Sequence, residues 1–563
     1  MSAENEHTPP ARRAGRTLRR GRRRWIAAGA VFAVVAASGA LYAARSGSAQ
    51  TSADVPVRRG TLVYGIAGTQ PSLDPAGQAT GVTSQIGRNI FDSLIAQTGP
   101  DTFGPWLATD WTVSPDGLVY SFTLRDGVTF HDGTPFTADA VKATLEHAVD
   151  PQTKSSYAAS FLATYRETRI INAHEVEIVL KEPFTPLLQA LSTPNLAIQS
   201  AQALALPAAD YRPVGTGPFV FEHWEPGKRE TLVRATKYTS APEGAAHTGP
   251  AYLDKLVFEL IAEDATRLGA LTSGQLHGID SVAPVSAGQL SRQAGFTLRS
   301  NETPGLNYSL FLNQSRGPLQ DQAVRHALAA ALDIPKLVDN VYFGRYPVAD
   351  NPISRTTAAY DATTRKELVA YDPAAAERQL DSAGWNTRDA DGYRVKNGAR
   401  LSLVWPLWTE GSREQRAVIA DGIQVQARAV GIEIVRPTVD TGTYIERYLT
   451  GGAYDIIDGN SSSPSPDVLR FAFLSTNTFA NGGSNVARLN SPQVDAWLAQ
   501  ATAAGDPAQA AALYSRVQHE VLRQIAIVPV YNPVSLTAFA DTVRDLEFDI
   551  QTYPRFYDTW LAA

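Results

Sequence analysis

Cysteine is absent from all 563 residues, which removes disulfides, thiolate metal sites and cysteine nucleophiles together. Methionine occurs once, at Met1. Charge is sparse: 19% of residues are charged and the net charge is -6, too little of either sign over this length to mark a nucleic-acid partner. Hydrolase signatures are missing as well. There is no Gly-x-Ser-x-Gly, no His-Glu-x-x-His and no Lys with Ser three residues before it. His174 and Glu175 make no metal motif, since a zinc helix would need a second His four residues after the first. The reading is therefore not an enzyme, with no cofactor and no metal site.

What is present is ordinary for a globular α/β protein, 44% hydrophobic and long enough for two or three domains. The basic residues cluster at the N-terminus. Eight arginines between Arg12 and Arg24 precede an uncharged Ala- and Val-rich stretch, 25–44, just long enough to span a bilayer. Residues 1–24 read as a cytoplasmic segment or signal n-region, 25–44 as a membrane anchor or signal h-region, and 45–59 as a linker. The folded part would then lie on the extracytoplasmic face, held by the helix or released after cleavage.

Two motifs stand out in the folded part. The first, WTVSPDGLVYSFTLRDGVTFHDGTPFTADAV (111–141), opens with a turn at Ser114, Pro115, Asp116 and Gly117. A strand follows, with Tyr120, Phe122 and Leu124 alternating against polar residues, then further turns, and Thr137 as N-cap of a helix over 138–149. His131 and Asp132 sit side by side in one of these turns, where adjacent side chains point apart, so a catalytic pair is not expected. The second motif, RPVGTGPFVFEHW (212–224), looks like a phosphate loop but lacks the following Lys and Ser/Thr, and Pro218 removes a backbone N–H. It reads as a tight turn feeding a strand.

Together with TQPSLDPAG (69–77), LNYSLFLNQSRGPLQDQAVRHALAAALD (306–333) and YDPAAAERQLDSAGW (371–385), these motifs resemble the family 5 solute-binding proteins of ABC importers, the peptide, dipeptide and nickel group. The resemblance runs from about Thr61 to Trp560. It implies an α/β fold of the periplasmic-binding-protein type, a class II bilobal three-domain clamp with discontinuous lobes. Lobe one would comprise 60–90, 212–304 and 525–563, an inserted domain 91–211, and lobe two 305–524, with a ligand between the lobes.

The implied partners are a peptide or amino-acid-like ligand, with an Arg-containing one among the options, the ABC permease and ATPase subunits, and the membrane through the N-terminal helix, the protein acting as a monomer. A ligand sensor on the same fold, or capture of a non-peptide solute, are the alternatives. Peptide binders of this family hold the ligand amine with an Asp in lobe two. The position that aligns here is Ser462, or Pro464 in another register, with Asp458 or Asp467 as substitutes. Dipeptide binders place an Arg for the ligand carboxylate where this chain has Glu410, with Arg413 three residues later. Glu410 facing the cleft would favour a cationic group, and Arg413 a carboxylate. Trp405 and Trp408 read equally as pocket or core. Thr69, Gln70, Asn307, Tyr308, Asn460 and Ser461 complete the expected ligand-facing set.

Overall fold

The computed structural model describes residues 55–562 apart from 71, 78–79, 156, 410–413 and 482. The basic and apolar segments 1–24 and 25–44 fall outside the described residues, as do Glu410 and Arg413. No helix among the described residues is long and apolar enough to cross a membrane.

The first strand, Thr61–Ile66, buries five of its six residues wholly or partly, and forms the centre of a seven-stranded mixed sheet. It pairs parallel with Lys255–Leu260 on one side and with Gly278–Ile279 on the other. Beyond these lie Arg229–Arg234 and Phe219–Glu225 at one edge, and Val534–Ala540 and Phe296–Glu302 at the other. Residues from three distant stretches of chain therefore share one sheet.

A separate four-stranded antiparallel sheet carries the first motif. Val119–Leu124 lies between Ala108–Val113 and Glu175–Leu180, and Tyr165–Asn172 closes the far edge. Tyr120, Phe122 and Leu124 are buried on one face, as period-two alternation requires. The helix Ala138–Val149 covers that face. Thr137 precedes it with extended backbone, but its hydroxyl bonds to Asp139 at 3.2 Å and caps no amide.

The second motif is the return crossing between these two sheets. Gly217 N–H donates to the Ile90 carbonyl at 2.9 Å, and Phe219 N–H to that of Asn89 at 3.1 Å. A side chain at either glycine would strike Ile90: a Cβ on Gly217 would lie 2.5 Å from its oxygen, and one on Gly215 closer still. The glycines serve close approach of two backbones. His131 holds the same turn, its backbone N–H donating to the Gly215 carbonyl and its Nε2 lying 2.9 Å from that of Gly217. Asp132 is occupied by Thr134 and Ser200. Asp74 of the Leu73-Asp74-Pro75 loop binds His147 Nε2 at 2.7 Å and Gln199 at 3.2 Å, tying the loop after the first strand to the helix Ala138–Val149.

Gly305–Leu312 is buried at every position and forms the middle of a three-stranded sheet with Ile456–Ser462 and Ile527–Tyr531. Sequence reasoning gave Ile527–Tyr531 to the first lobe. It pairs instead with Gly305–Leu312, and the chain enters the seven-stranded sheet only at Val534. Thr303 N–H donates to the Pro533 carbonyl at 2.9 Å, so the two connections run side by side. Gly305 has φ +120, and a Cβ there would collide with the Ser461 carbonyl and the Ser463 nitrogen.

Candidate functional site

The strand Ile456–Ser462 leaves the buried sheet with Asp458, Gly459, Asn460 and Ser461 half-buried along one cavity. Opposite stand Trp408 of the short strand Leu407–Trp408 and Arg416, first residue of the helix Arg416–Ala429. The cavity measures about 310 Å³, and the described residues lining it all fall between Leu306 and Val486. Phe311, Leu407, Tyr444, Ile457 and Phe479 make most of the wall apolar, and Trp408 stacks on Tyr444 with centroids 5.0 Å apart.

Behind the wall lies a charged, aromatic network. Asp458 accepts from the Tyr308 hydroxyl at 2.7 Å and from Trp405 Nε1 at 2.6 Å. The Arg416 guanidinium lies 4.7 Å from the Tyr308 ring centroid and donates through Nη2 to Asn460 at 2.7 Å and Glu414 at 3.1 Å. Glu414 in turn accepts from the Tyr531 hydroxyl at 2.8 Å. Burial opposes the Arg416 charge, but Tyr531, Glu414, Tyr308 and Asp458 more than offset it and hold the group above its ordinary pKa. Burial, reinforced by the Asp458 charge, raises Tyr308 well above the usual phenol range. Glu414 and Gln415 both sit at positive φ, 56 and 58, immediately before the helix. Two consecutive non-glycine residues in the left-handed region are costly and are found where a site fixes the backbone.

Four residues of the expected set, Trp408, Asp458, Asn460 and Ser461, line this cavity. Tyr308 and Trp405 stand behind it as the donors to Asp458, and Trp405 is only 1% exposed. Asn307 is buried and spends its amide on the carbonyls of Asn351 and Ile353, a structural pin for that strand. Ser462 offers its carbonyl to the Tyr157 hydroxyl at 2.7 Å. Asp467 is committed to Arg470, at 2.9 and 2.7 Å, and to Tyr514. Thr69 and Gln70 line a different, small cavity, where Gln70 hydrogen-bonds the buried Glu230 carboxylate. Sequence reasoning missed Arg416, Arg436, Tyr444 and Glu414. Arg416 was within reach, as the first basic residue of an amphipathic helix next to an expected site loop, whereas Arg436 and Tyr444 reach the cavity only through long-range packing.

Residues 102–485 match the family described as bacterial extracellular solute-binding proteins, family 5 (Middle), which is more than half of the chain. The chain belongs to the family 5 bacterial extracellular solute-binding proteins. The glutathione-binding protein GsiB of Escherichia coli O1:K1 / APEC is 26% identical over 483 residues, 83% of this chain and 88% of that protein. The nickel-binding periplasmic protein of Escherichia coli K12 is 24% identical over 454 residues, 79% and 83% of the two chains. Among solved structures, NikA from Brucella suis in complex with Fe(III)-EDTA aligns with a TM-score of 0.78 at 22% identity, over 89% of this chain and 100% of its own. The oligopeptide-binding protein AppA from Bacillus subtilis, in complex with a nonapeptide, also gives 0.78, at 21% identity over 90% and 100%. These structures establish the fold of this family member as the bilobal binding-protein clamp. Its relatives are solute-binding proteins of ABC importers and not enzymes, and the family is extracellular or periplasmic.

Proposed function

We infer that this protein captures peptides or amino-acid-like solutes between its lobes and delivers them to a membrane permease driven by its ATPase partner. It would act as a monomer on the outer face of the membrane, tethered by 25–44 or released after cleavage. The supporting observation is the 310 Å³ cavity with apolar walls and a few fixed polar groups, a combination typical of small-molecule sites and at the low end of their roughly 300–1,000 Å³ range. That size favours a short ligand over a long peptide.

The sign of the ligand's charge is the finer question. An Arg-containing ligand is what a cleft-facing Glu410 would favour. A thermal-shift screen of the full chain against dipeptides, longer peptides, free amino acids, nickel chelates and oligosaccharides tests the reading, because selective binding to the folded state raises apparent stability. A shift from short peptides or amino acids supports it. A shift only from chelates or oligosaccharides would replace the ligand class.

A further inference from the structure

Far from the cavity, both ring nitrogens of His247 face acceptors. Nδ1 lies 2.7 Å from Asp558 Oδ1, and Nε2 lies 3.2 Å from the Pro250 carbonyl. A neutral imidazole carries one N–H and one bare lone pair. Whichever tautomer the neutral ring took, one of these oxygens would meet a lone pair, so both contacts are complete only when the ring holds two protons. Its surroundings favour that cation. Tyr557 stacks on the ring with centroids 4.3 Å apart, and Tyr252 lies against it at 4.2 Å. The His247 and Asp558 side chains are 11% and 7% exposed, and His247 is the one cation paired with Asp558 among the described residues. The other donor to Asp558 is the Ala246 N–H, at 3.2 Å. A neutral His247 would leave this carboxylate buried without a counter-charge, which is costly.

The contact joins residues 311 positions apart. On one side is the loop 245–250, which leads into the strand Lys255–Leu260. On the other is the C-terminal stretch 556–561, which closes over the start of the seven-stranded sheet. The Phe556 ring meets Tyr64 and Phe258 edge-on, its N–H donates to Asn89 Oδ1 at 3.1 Å, and Leu561 lies against Gly60. The Tyr557 hydroxyl donates back to the His247 and Gly249 carbonyls, at 3.1 and 2.9 Å.

The other charged groups around the ring leave this pairing intact. Arg58 lies 6.0 Å from the Tyr252 ring centroid, Arg234 is paired with Asp254 at 2.6 Å, and Glu243 of the neighbouring loop lies against Gly104. Asp92 is reached through two rings: Tyr557 meets Tyr238 edge-on at 5.1 Å, and the Tyr238 hydroxyl donates to Asp92 at 3.3 Å. Burial pushes the Asp92 carboxyl up to about 7 against its hydrogen bonds. It therefore gains its charge in the range where histidines lose theirs.

We propose that His247 is a proton-operated fastening: the doubly protonated ring holds the stretch 556–561 to the loop 245–250, and loss of one proton loosens that stretch while the rest of the fold stays in place. The hold is full at mildly acidic pH and weakens as pH rises, the direction for a base whose charged form gains a partner on folding. The inference goes beyond solute capture and stands whatever solute is bound.

The test is hydrogen exchange of the full chain between about pH 5 and about pH 8, corrected for the intrinsic pH dependence of exchange. Protection of 556–561 falls about 10- to 100-fold across this range, as expected for loss of a hydrogen bond between charged groups, while that of Thr61–Ile66 holds. His247→Gln begins at the low protection and stays flat. Asp92→Asn keeps the fall in 556–561, which separates the two titrations. Ring-nitrogen NMR of the wild type needs no variant: both His247 nitrogens are protonated at the acid end and one at the alkaline end. A flat wild-type profile overturns the proposal, as does a fall shared equally by Thr61–Ile66. So does a His247→Gln variant that keeps the fall, an Asp92→Asn variant that loses it, or a ring that holds one proton throughout.

Discussion

The hydroxyl of Tyr157 donates to the backbone carbonyl of Ser462 at 2.7 Å, joining the segment that carries the four-stranded sheet to the strand that lines the cavity. Three further contacts cross near it: the Tyr157 ring meets Phe471 edge-on, Arg470 reaches the Ser160 carbonyl at 3.4 Å, and the Thr185 N–H that of Thr502 at 2.9 Å. Asn460 and Ser461 immediately precede the pinned carbonyl. Cavity wall and the contact with the Tyr157 segment are thus consecutive on one strand, and a ligand that orders the strand favours the contact.

Tyr157→Phe deletes that hydrogen bond and keeps the ring packing. The closed arrangement should lose about 1 kcal/mol, and ligand affinity should fall about five-fold with little change in the melting temperature of the ligand-free protein. Calorimetry with scattering measurements of the closed population checks this. Unchanged affinity would make the contact incidental to closure.

Gly217→Ala places a Cβ against the Ile90 carbonyl, and both neighbours are backbone that cannot yield cheaply. The expected loss is about 2–4 kcal/mol, read by urea denaturation. Ala substitution at Gly227, whose φ of +74 carries strain but whose surroundings are empty, should cost about 1 kcal/mol.

Asp458→Ala leaves the Tyr308 hydroxyl and the Trp405 indole N–H without their acceptor in a buried site. Each unmet donor costs about 1–3 kcal/mol, so the melting temperature should drop by several degrees. Trp405 fluorescence should change with it, while distant substitutions of similar cost leave that emission unaltered.

Burial raises Asp92 to about 7 against the hydrogen bonds of Ser240, Thr216 and Tyr238 and the charge of Arg88, and raises Glu230 to about 7 against the Gln70 bond. Both carboxyls hold a proton in the folded chain that the unfolded chain releases near pH 4. Stability from this source is full below about pH 4, falls as pH rises toward 7 and is level above it. Asp92→Asn should flatten the decline of melting temperature between pH 5 and 8. Parallel profiles for variant and wild type would assign the slope elsewhere.

The sequence was most legible where structure is local or carried by recurring motifs. The hairpin around Ser114 and Gly117, the helix Ala138–Val149 and the turn nature of Gly215 to Gly217 follow from alternation, capping composition and the missing phosphate-loop residues. His131 and Asp132, adjacent in sequence, spend their side chains apart, His131 on the Gly217 carbonyl and Asp132 on Thr134 and Ser200. The site was less legible. Trp405 and Trp408 look alike in sequence, and only tertiary packing makes one a buried donor to Asp458 and the other a cavity wall. Arg436 gives no local signal at all, since its place over Trp405 depends on the pairing of Ser402–Val404 with Glu433–Val435.

Ala417 lines the cavity from the helix Arg416–Ala429 and is only partly buried, so a large side chain there can fill the space without entering the core. Calorimetric titration of wild type and Ala417→Trp with the same short peptides and amino acids tests the account most directly. The account predicts binding to the wild type and a loss of at least about 100-fold in the variant, with its melting temperature within a few degrees. Equal binding by both proteins would contradict it and put the solute elsewhere.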